Sequence, residues 1–343
     1  FTKADLANSN LVVATLVDAD LSEAIVTATD LAATGIAAQQ LYSTASYQAK
    51  DLQGIGLSSN DLTGWDFSEQ SLINADLRYA TLVNANVSGA LVAGANFSNT
   101  TSYGFSKQQL YSTASFQRKN LEGIGLADND LTGWNLSGHD LHNAHLGGSR
   151  LTDTDIKGAI VTEARLNDTT SRGFAKEQLY STASYEQKNL RGIMLSNNDL
   201  SGWDFAGRNL GGASFTGANL TGADFSGANL MDTDFYHTSH QPSGILTGAN
   251  FSGAILNGAR LGDTTSSGFT AEQLYSTASH QERDLSGVHF SDGDLTGWDF
   301  AGQNLTDAVL SDTLLADADF QGSVVSGVVF FNATDGGFTA EQL

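Results

Sequence analysis

The sequence contains no cysteine, a single proline and few basic residues, and each shortage excludes a class of protein. Without cysteine, the 343-residue chain has neither a disulfide framework nor a cysteinyl metal site. One proline against 37 glycines excludes a collagen triple helix. No apolar run approaches the roughly 20 residues that a membrane-spanning helix needs. The first ten residues also lack the charged and apolar regions of a signal peptide. We therefore expect no membrane insertion.

Basic residues are scarce enough to leave the chain strongly acidic. Its 38 acidic residues against 16 Lys and Arg give a formal net charge of −22. Such a surface repels the phosphates of nucleic acids and of anionic membranes, so we expect the chain to bind no nucleic acid. A hydrophobic content of 40% is nevertheless enough to bury a core, which argues against wholesale disorder.

What the sequence does contain is repetition, and the shorter repeat has a period of five. Large apolar residues recur at every fifth position through most of the chain, for example from Leu52 to Phe97. The residue two positions before each large one is often alanine, as at Ala75 and Ala80. A period of five fits neither a helix nor a strand. It predicts a coil in which four pentads make one turn of about 20 residues and turns stack about 4.8 Å apart, as strands do.

Two stretches carry a family resemblance. ADLRYATLVNANVSG from Ala75 and GANLTGADFSGANL from Gly217 resemble the A-(D/N)-L-x-x signature of pentapeptide-repeat proteins. The resemblance implies an all-β solenoid, specifically a right-handed quadrilateral β-helix, which we expect to run as one continuous solenoid over residues 1–343. The family has no shared catalytic residues. No Ser-His-Asp arrangement, phosphate loop or carboxylate pair stands out either, so we expect a protein that is not an enzyme and has no cofactor.

A longer repeat is superimposed on the five-residue repeat. The sequence QLYSTAS recurs unchanged from Gln40, Gln109, Gln178 and Gln273, at steps of 69, 69 and 95 residues, and only the two residues after it vary. A step of 69 equals three 20-residue turns plus nine residues, and 95 equals four turns plus the same nine and a further six. The pentad register slips between Phe235 and Leu246, which places the six residues in an extra loop near 236–245.

Each QLYSTAS segment begins like a helix. Ser106 and Thr270 each precede a glutamine by three positions, which is the signature of a capping box. Ala37 and Ala175 lack the capping hydroxyl, so those helix starts should be weaker by about 1 kcal/mol. YSTAS is a poor helix former, which favours only two or so turns. The short capped helices are predicted on one side of the coil, near residues 36–50, 105–119, 174–188 and 269–283.

The pentads after each segment break the rule that the inward minor residue is small. In the first copy these positions are Lys50, Ile55, Asn60, Trp65 and Gln70. A tryptophan does not fit inside a coil that accepts alanine, so we predict that it packs against the neighbouring helix, near a tyrosine. The residues of this helix–coil packing are Trp65, Trp134, Trp203, Trp298, Tyr42, Tyr111, Tyr180 and Tyr275. The alternative is that the same aromatic row forms a contact face for carbohydrate or a partner protein.

Metal-binding patterns are weak. Outward carboxylates one turn apart, such as Asp204 and Asp224, could hold calcium weakly at the surface, but no EF-hand spacing exists. Two groups of histidines resemble metal clusters: His139, His142 and His145, and His237 and His240. We expect no metal there, because the first group falls at different pentad positions and the second lacks nearby carboxylates.

The pattern as a whole favours a structural or scaffold solenoid. We expect a segment of an extended extracellular or cell-surface assembly or filament, which associates with itself head to tail or with another protein. The alternative is an acidic module that mimics DNA. Some members of the family that the chain resembles inhibit type II topoisomerases in this way, and such a module would act in the cytoplasm.

Overall fold

The backbone is paired from turn to turn by isolated parallel bridges. In the computed structural model, which describes residues 1–236 and 245–342, most bridges join residues 20 positions apart, such as Asp51 with Ser71 and Ser71 with Leu91. No strand in these ranges is longer than a single bridge, because the chain bends after every pentad. A turn of four pentads that stacks on the next is a β-solenoid, and that prediction is confirmed.

The bend in each pentad depends on one left-handed residue. Asn74 and Tyr79 have φ of 58°, and Gly89 has φ of 70°. Glycine, asparagine and aspartate tolerate this conformation best, which accounts for their abundance at these corners. The Asp or Asn at the bridge position supports the bend from its other side: the Asp76 carboxylate accepts the backbone N–H of Arg78 at 3.1 Å. The A-(D/N)-L-x-x pattern therefore encodes a small inward residue, a cap for the bend and a large inward residue.

The core is a column of the large residues. Phe205, Phe225 and Phe251 are fully or almost fully buried, and each ring stacks on the next with centroids 5.2 and 5.3 Å apart. Consecutive rings belong to consecutive turns, so the core continues through each stack of turns. No turn can bury its apolar centre alone.

The contacts divide the chain into two compact units. The first comprises residues 1–165, 172–174 and 181–183, and the second comprises residues 166–171, 175–180 and 184–343. Each unit contains the same coil, and one continuous solenoid over residues 1–343 stays a prediction. Among the described residues, no helix has the length and apolar character needed to cross a bilayer.

Each QLYSTAS segment forms two short helices, so the prediction of one helix of about two turns was wrong. Thr44, Thr113 and Thr277 are extended, with ψ near 150°, and each accepts a backbone N–H of the second helix with its hydroxyl. The threonine ends one helix because it caps the next. The helices are α1 (Ala38–Tyr42), α2 (Ala45–Gln48), α3 (Lys107–Ser112), α4 (Ala114–Gln117), α5 (Lys176–Tyr180), α6 (Ala183–Glu186), α7 (Ala271–Tyr275) and α8 (Ala278–Gln281).

The bridges give the number of residues that each excursion inserts. Asn96 pairs with Gly125 and Arg260 with His289, 29 positions apart, which agrees with nine additional residues. Asp30 pairs with Gly56, only 26 positions apart. The later excursions contain a 3-10 helix that the first one lacks; these helices are Thr101–Tyr103, Thr170–Arg172 and Thr265–Ser267. A fourth 3-10 helix spans Ala340–Gln342.

The extra loop near 236–245 is flanked by the expected register. Asn219 pairs with Ile245, 26 positions away, which agrees with six inserted residues. The predicted loop itself, with His237 and His240, lies outside the described residues.

Candidate functional site

The helices meet the coil at four helix–coil joints, which span residues 36–70, 105–139, 174–208 and 269–303. In the first, second and fourth joints, a glutamine at the third position of the first helix fastens that helix to the coil. In the second joint, Gln109 Oε1 accepts from Ser106 N at 2.8 Å, and Gln109 Nε2 donates to Leu82 O and Ala85 O, both at 2.8 Å. Gln40 and Gln273 make the same three contacts. One side chain therefore caps the helix and ties it to the turn below.

The other residues of the QLYSTAS segment also make local contacts. Leu41 is fully buried, and the Thr44 hydroxyl donates to Leu41 O at 2.7 Å while it caps α2. Ser46 Oγ accepts from Val26 N of the turn below at 2.9 Å. Ser43 Oγ donates to Gln40 O at 2.8 Å. The literal repetition of QLYSTAS follows from these bonds, since each polar side chain satisfies a backbone group that the coil alone would leave unpaired.

Two tyrosine hydroxyls replace a missing turn of the coil. In regular turns the bridge residue donates its N–H to a carbonyl 21 positions earlier, as Asp76 N does to Ile55 O at 2.8 Å. At Asp66 the corresponding turn is occupied by the helices. Tyr42 Oη instead accepts from Asp66 N at 2.6 Å, and Tyr47 Oη donates to Asp66 O at 2.8 Å. The two hydroxyls act as the carbonyl and the N–H of the absent peptide groups.

The tyrosine at the end of the first helix has the same role in the other joints. Tyr111 accepts from Asn135 N, Tyr180 from Asp204 N and Tyr275 from Asp299 N, each at 2.5 Å. The second hydroxyl varies more. Tyr185 donates to Asp204 O at 2.9 Å in the third joint, Phe116 in the second joint has no hydroxyl, and His280 Nε2 lies 3.2 Å from Asp299 O in the fourth joint.

Each tryptophan packs beside its helix. Trp65, Trp134 and Trp203 make edge-to-face contacts with Tyr42, Tyr111 and Tyr180, with ring centroids 6.2, 6.5 and 6.2 Å apart. Trp298 lies 6.1 Å from Phe269, and the next residue bonds Tyr275 through its backbone N–H. The four tryptophans are only 5–8% exposed, so most of each ring is covered by the helix and the coil.

The buried and half-buried tyrosines of the joints stay neutral far into the alkaline range. Burial raises the pKa of Tyr47 to about 12, and the nearby Asp66 carboxylate adds to the shift. Burial likewise raises the pKa of Tyr180, Tyr185 and Tyr275. The Tyr47 and Tyr185 hydroxyls therefore keep the proton that each donates to the coil.

Each of the first three joints contains a buried asparagine that bonds the neighbouring backbone. Asn129 is 2% exposed; its Oδ1 accepts from Thr100 N and Thr101 N at 2.8 and 2.9 Å, and its Nδ2 donates to Phe97 O at 2.9 Å. Asn60 and Asn198 make equivalent contacts. Sequence reasoning identified these asparagines as exceptions to the small-residue rule but missed their role, which only the position of the neighbouring backbone reveals.

The basic residue after each segment was assigned incorrectly. Lys50 and its equivalents Lys119, Lys188 and Arg283 are exposed at left-handed φ of 57–60° and do not point inward. They end the excursion, and their side chains reach solvent; Lys50 pairs with Glu69.

The histidines and carboxylates singled out as candidate metal ligands have other surroundings. His139 Nε2 lies 3.1 Å from Phe116 O, and His142 Nδ1 lies 2.9 Å from Thr162 Oγ1. Burial, with Arg165 nearby, lowers the pKa of His145. Within residues 1–236 and 245–342, no three His, Asp or Glu side chains converge as a metal site would require. The backbones of Asp204 and Asp224 pair directly, and weak calcium binding there stays a prediction.

A family model for pentapeptide repeats matches more than half of the chain. The eight copies lie within residues 1–32, 51–89, 130–168, 199–236, 245–265, 284–322 and 294–330. No curated protein sequence matches significantly.

Several solved structures are similar in part. HetL, a pentapeptide repeat protein involved in heterocyst differentiation regulation from the cyanobacterium Nostoc sp. strain PCC 7120, is 22% identical over 83% of this chain and 94% of its own, with a TM-score of 0.19. Full-length QnrB1, a plasmid-mediated fluoroquinolone resistance protein, is 16% identical over 80% and 87%, with a TM-score of 0.22. Rfr23 from the cyanobacterium Cyanothece 51142 is 18% identical over 40% and 90%, with a TM-score of 0.15. With such low identities and TM-scores these likenesses carry no functional argument, and the family assignment depends on the repeats.

Proposed function

Since the chain belongs to the pentapeptide-repeat family, we propose that it is a non-enzymatic scaffold solenoid that presents short helices at fixed intervals. One observation carries the proposal: the helices are bonded to the coil by side chains that make backbone-like hydrogen bonds, as at Gln109 and Tyr42. Helices attached in this way are rigid extensions of the coil, which suits a protein that sets distances between partners.

The architecture that we propose is a right-handed quadrilateral coil, continuous over residues 1–343, with all helical excursions on one side. The residue separations of the bridges support this architecture. Bridges at separations of 26 and 29 positions return the first, second and fourth excursions to the same pentad register.

We assign the eight aromatic residues of the joints to helix–coil packing, in preference to a ligand-contact face that uses the whole row. The burial of the tryptophans and the bonds of the tyrosine hydroxyls to the coil support this assignment. The protein then offers partners the outer surfaces of the helices and the acidic corners of the coil.

The proposed setting is an extended assembly at the cell surface or outside the cell, built from copies arranged head to tail or from this protein with another. The repetitive, locally self-satisfied structure supports it. Electron microscopy of the purified protein over a range of concentrations, together with fractionation of the source cells, tests it directly. Filaments or extended particles in a surface fraction are expected, whereas compact, discrete dimers in the cytoplasm would contradict it.

The second candidate is an acidic DNA mimic that inhibits a type II topoisomerase, and the net charge of −22 favours it. The carboxylates that stack in successive turns of the coil argue against this candidate, because asparagines interrupt the stacks. Asn86 Nδ2 donates to Asp66 at 2.9 Å, and Asn219 Nδ2 donates to Asp199 at 3.0 Å. These bonds dilute the regular negative charge that a phosphate mimic needs. A DNA supercoiling assay separates the two candidates, since inhibition at a stoichiometric ratio to the enzyme is expected of a mimic alone.

A further inference from the structure

The fourth joint contains a cavity of about 590 Å³ in the second unit. Phe269 and Trp298 form its apolar wall, with ring centroids 6.1 Å apart. Glu272, Asp292 and Asp294 are among its acidic lining residues. A cavity with an aromatic wall and a carboxylate rim is suited to an organic cation.

A glycine lines the cavity at the position where the other joints have a buried asparagine. Gly293 occupies the position that Asn60, Asn129 and Asn198 hold in the other joints. In the second joint the asparagine amide at this position bonds the backbone at the start of the 3-10 segment. Gly293 has no side chain to do so.

Two cations that flank this position in the second joint are also missing. In the second joint Arg150 Nε lies 3.9 Å from Asp130, the residue after the buried asparagine, and α3 begins with Lys107. In the fourth joint Leu314 replaces the arginine and Ala271 replaces the lysine. The fourth joint therefore lacks both positive charges of the second joint.

The carboxylates of the fourth joint are left without positive partners. Burial raises the pKa of Asp292, and the neighbouring carboxylates of Asp312 and Asp263 raise it further. Asp312 accepts a hydrogen bond from Asn332 Nδ2 at 2.8 Å, and Asp294 accepts one from Thr296 N at 3.1 Å. In the part of the chain that the structure describes, the ion pairs involve none of these carboxylates or Glu272.

The geometry points to a guanidinium-binding site formed by Gly293, Trp298, Asp292, Asp294, Asp312 and Glu272. A guanidinium is planar, binds carboxylates through paired N–H groups and packs against aromatic rings. Arg150 shows how the chain itself places such a group beside the equivalent aspartate. The inference does not depend on the scaffold function proposed above.

Isothermal titration of the full chain with N-acetyl-L-arginine amide tests the site, with the Trp298 indole resonance as a local reporter. Saturable binding to one site is expected. Gly293→Asn should refill the cavity and Leu314→Arg should supply an internal guanidinium, so each should weaken binding by about tenfold or more. Leu314 is 49% exposed, so its replacement leaves the core intact even if Gly293→Asn, whose Cβ would meet Phe290 O at 2.9 Å, perturbs folding.

The matched control is Asn129→Gly in the second joint. It removes the same amide but leaves Arg150 in place, so no second binding site should appear. Wild-type binding that is absent, unchanged in both fourth-joint variants, or equally tight for N-acetyl-L-lysine amide would overturn the proposal. A parallel titration with an arginine-containing peptide separates the sources of the guanidinium: tighter binding than the free amide indicates a protein partner, and equal binding indicates a small molecule.

Discussion

The regular pentads and the helix–coil joints solve the same problem with different atoms. Within the regular coil, backbone groups of one turn pair with those of the next, as Asp76 N does with Ile55 O. At the joints one side of that pairing is absent, and side chains such as Gln109 and Tyr42 make the bonds instead. The coil therefore tolerates many sequences with the right pattern, whereas the joint needs particular residues. This difference explains why pentads vary freely while QLYSTAS returns unchanged.

Removal of a joint tryptophan should have the largest effect. Trp134→Ala should lower the free energy of unfolding by about 3–5 kcal/mol, because a large buried side chain leaves a cavity between helix and coil. The coil counterpart Tyr79→Ala should change it by less than about 0.5 kcal/mol, since Tyr79 is 52% exposed. Chemical denaturation measures both, and equal effects would remove the distinction between joint and coil.

The buried asparagine should come next. Asn129→Ala leaves Thr100 N and Thr101 N without their acceptor, removes one of the two side-chain donors to Phe97 O and should cost about 2–3 kcal/mol. The half-buried Asn229, whose Oδ1 accepts from Met231 N and whose Nδ2 donates to Asn209 Oδ1, provides the coil control, and its replacement by alanine should cost about 1 kcal/mol. A larger loss at Asn229 than at Asn129 would contradict the role assigned to the joint.

Loss of the glutamine that ties the first helix to the coil, which we call the glutamine clamp, should lower the free energy of unfolding by an intermediate amount. The effect should also be visible locally. Gln109→Ala removes the bonds to Leu82 O and Ala85 O and should cost about 1–2 kcal/mol, with faster amide hydrogen exchange in α3. Gln108 is its exposed neighbour in the same helix, so Gln108→Ala should leave exchange unchanged. If both variants exchange alike, the clamp does not hold the helix.

The second tyrosine hydroxyl should have the smallest effect, and two joints test it in opposite directions. Tyr47→Phe removes the donor to Asp66 O and should cost about 1 kcal/mol, while Phe116→Tyr should restore a donor to the second joint and stabilise it slightly. The denaturation midpoint of Tyr47→Phe should fall below that of the wild type, and that of Phe116→Tyr should rise above it. Movement in the same direction would show that packing, not the hydroxyl, determines the outcome.

The same hydroxyl predicts a pH dependence. The pKa of Tyr47 in the folded protein is about 12, above its ordinary value of 10.0. The folded state therefore holds this proton more tightly, so the stabilisation is full below pH 10 and is lost as the pH rises from 10 towards 12. Thermal melts of wild type and Tyr47→Phe should converge over that range, and a constant difference would contradict the assignment.

The sequence predicts the coil well because its period is set by local geometry that repeats many times. The five-residue spacing, the nine- and six-residue insertions and the proximity of Trp65 to Tyr42 all follow from counting positions. Other features depend on non-local partners that a period does not encode. The split at Thr44, the exposure of Lys50 and the replacement of backbone by tyrosine hydroxyls become clear only with the adjacent turn in place.

The two lengths of the excursions have a practical consequence for protein engineering. The first inserts three residues fewer than the second, yet the same Gln, Leu, Tyr and Thr contacts follow it and the turns pair in the same pentad register. The stretch just before each QLYSTAS segment is thus a natural site for insertions and deletions, since its ends are held by the coil on one side and the glutamine clamp on the other. Foreign peptides could be grafted between Thr101 and Tyr103 while the coil keeps its register.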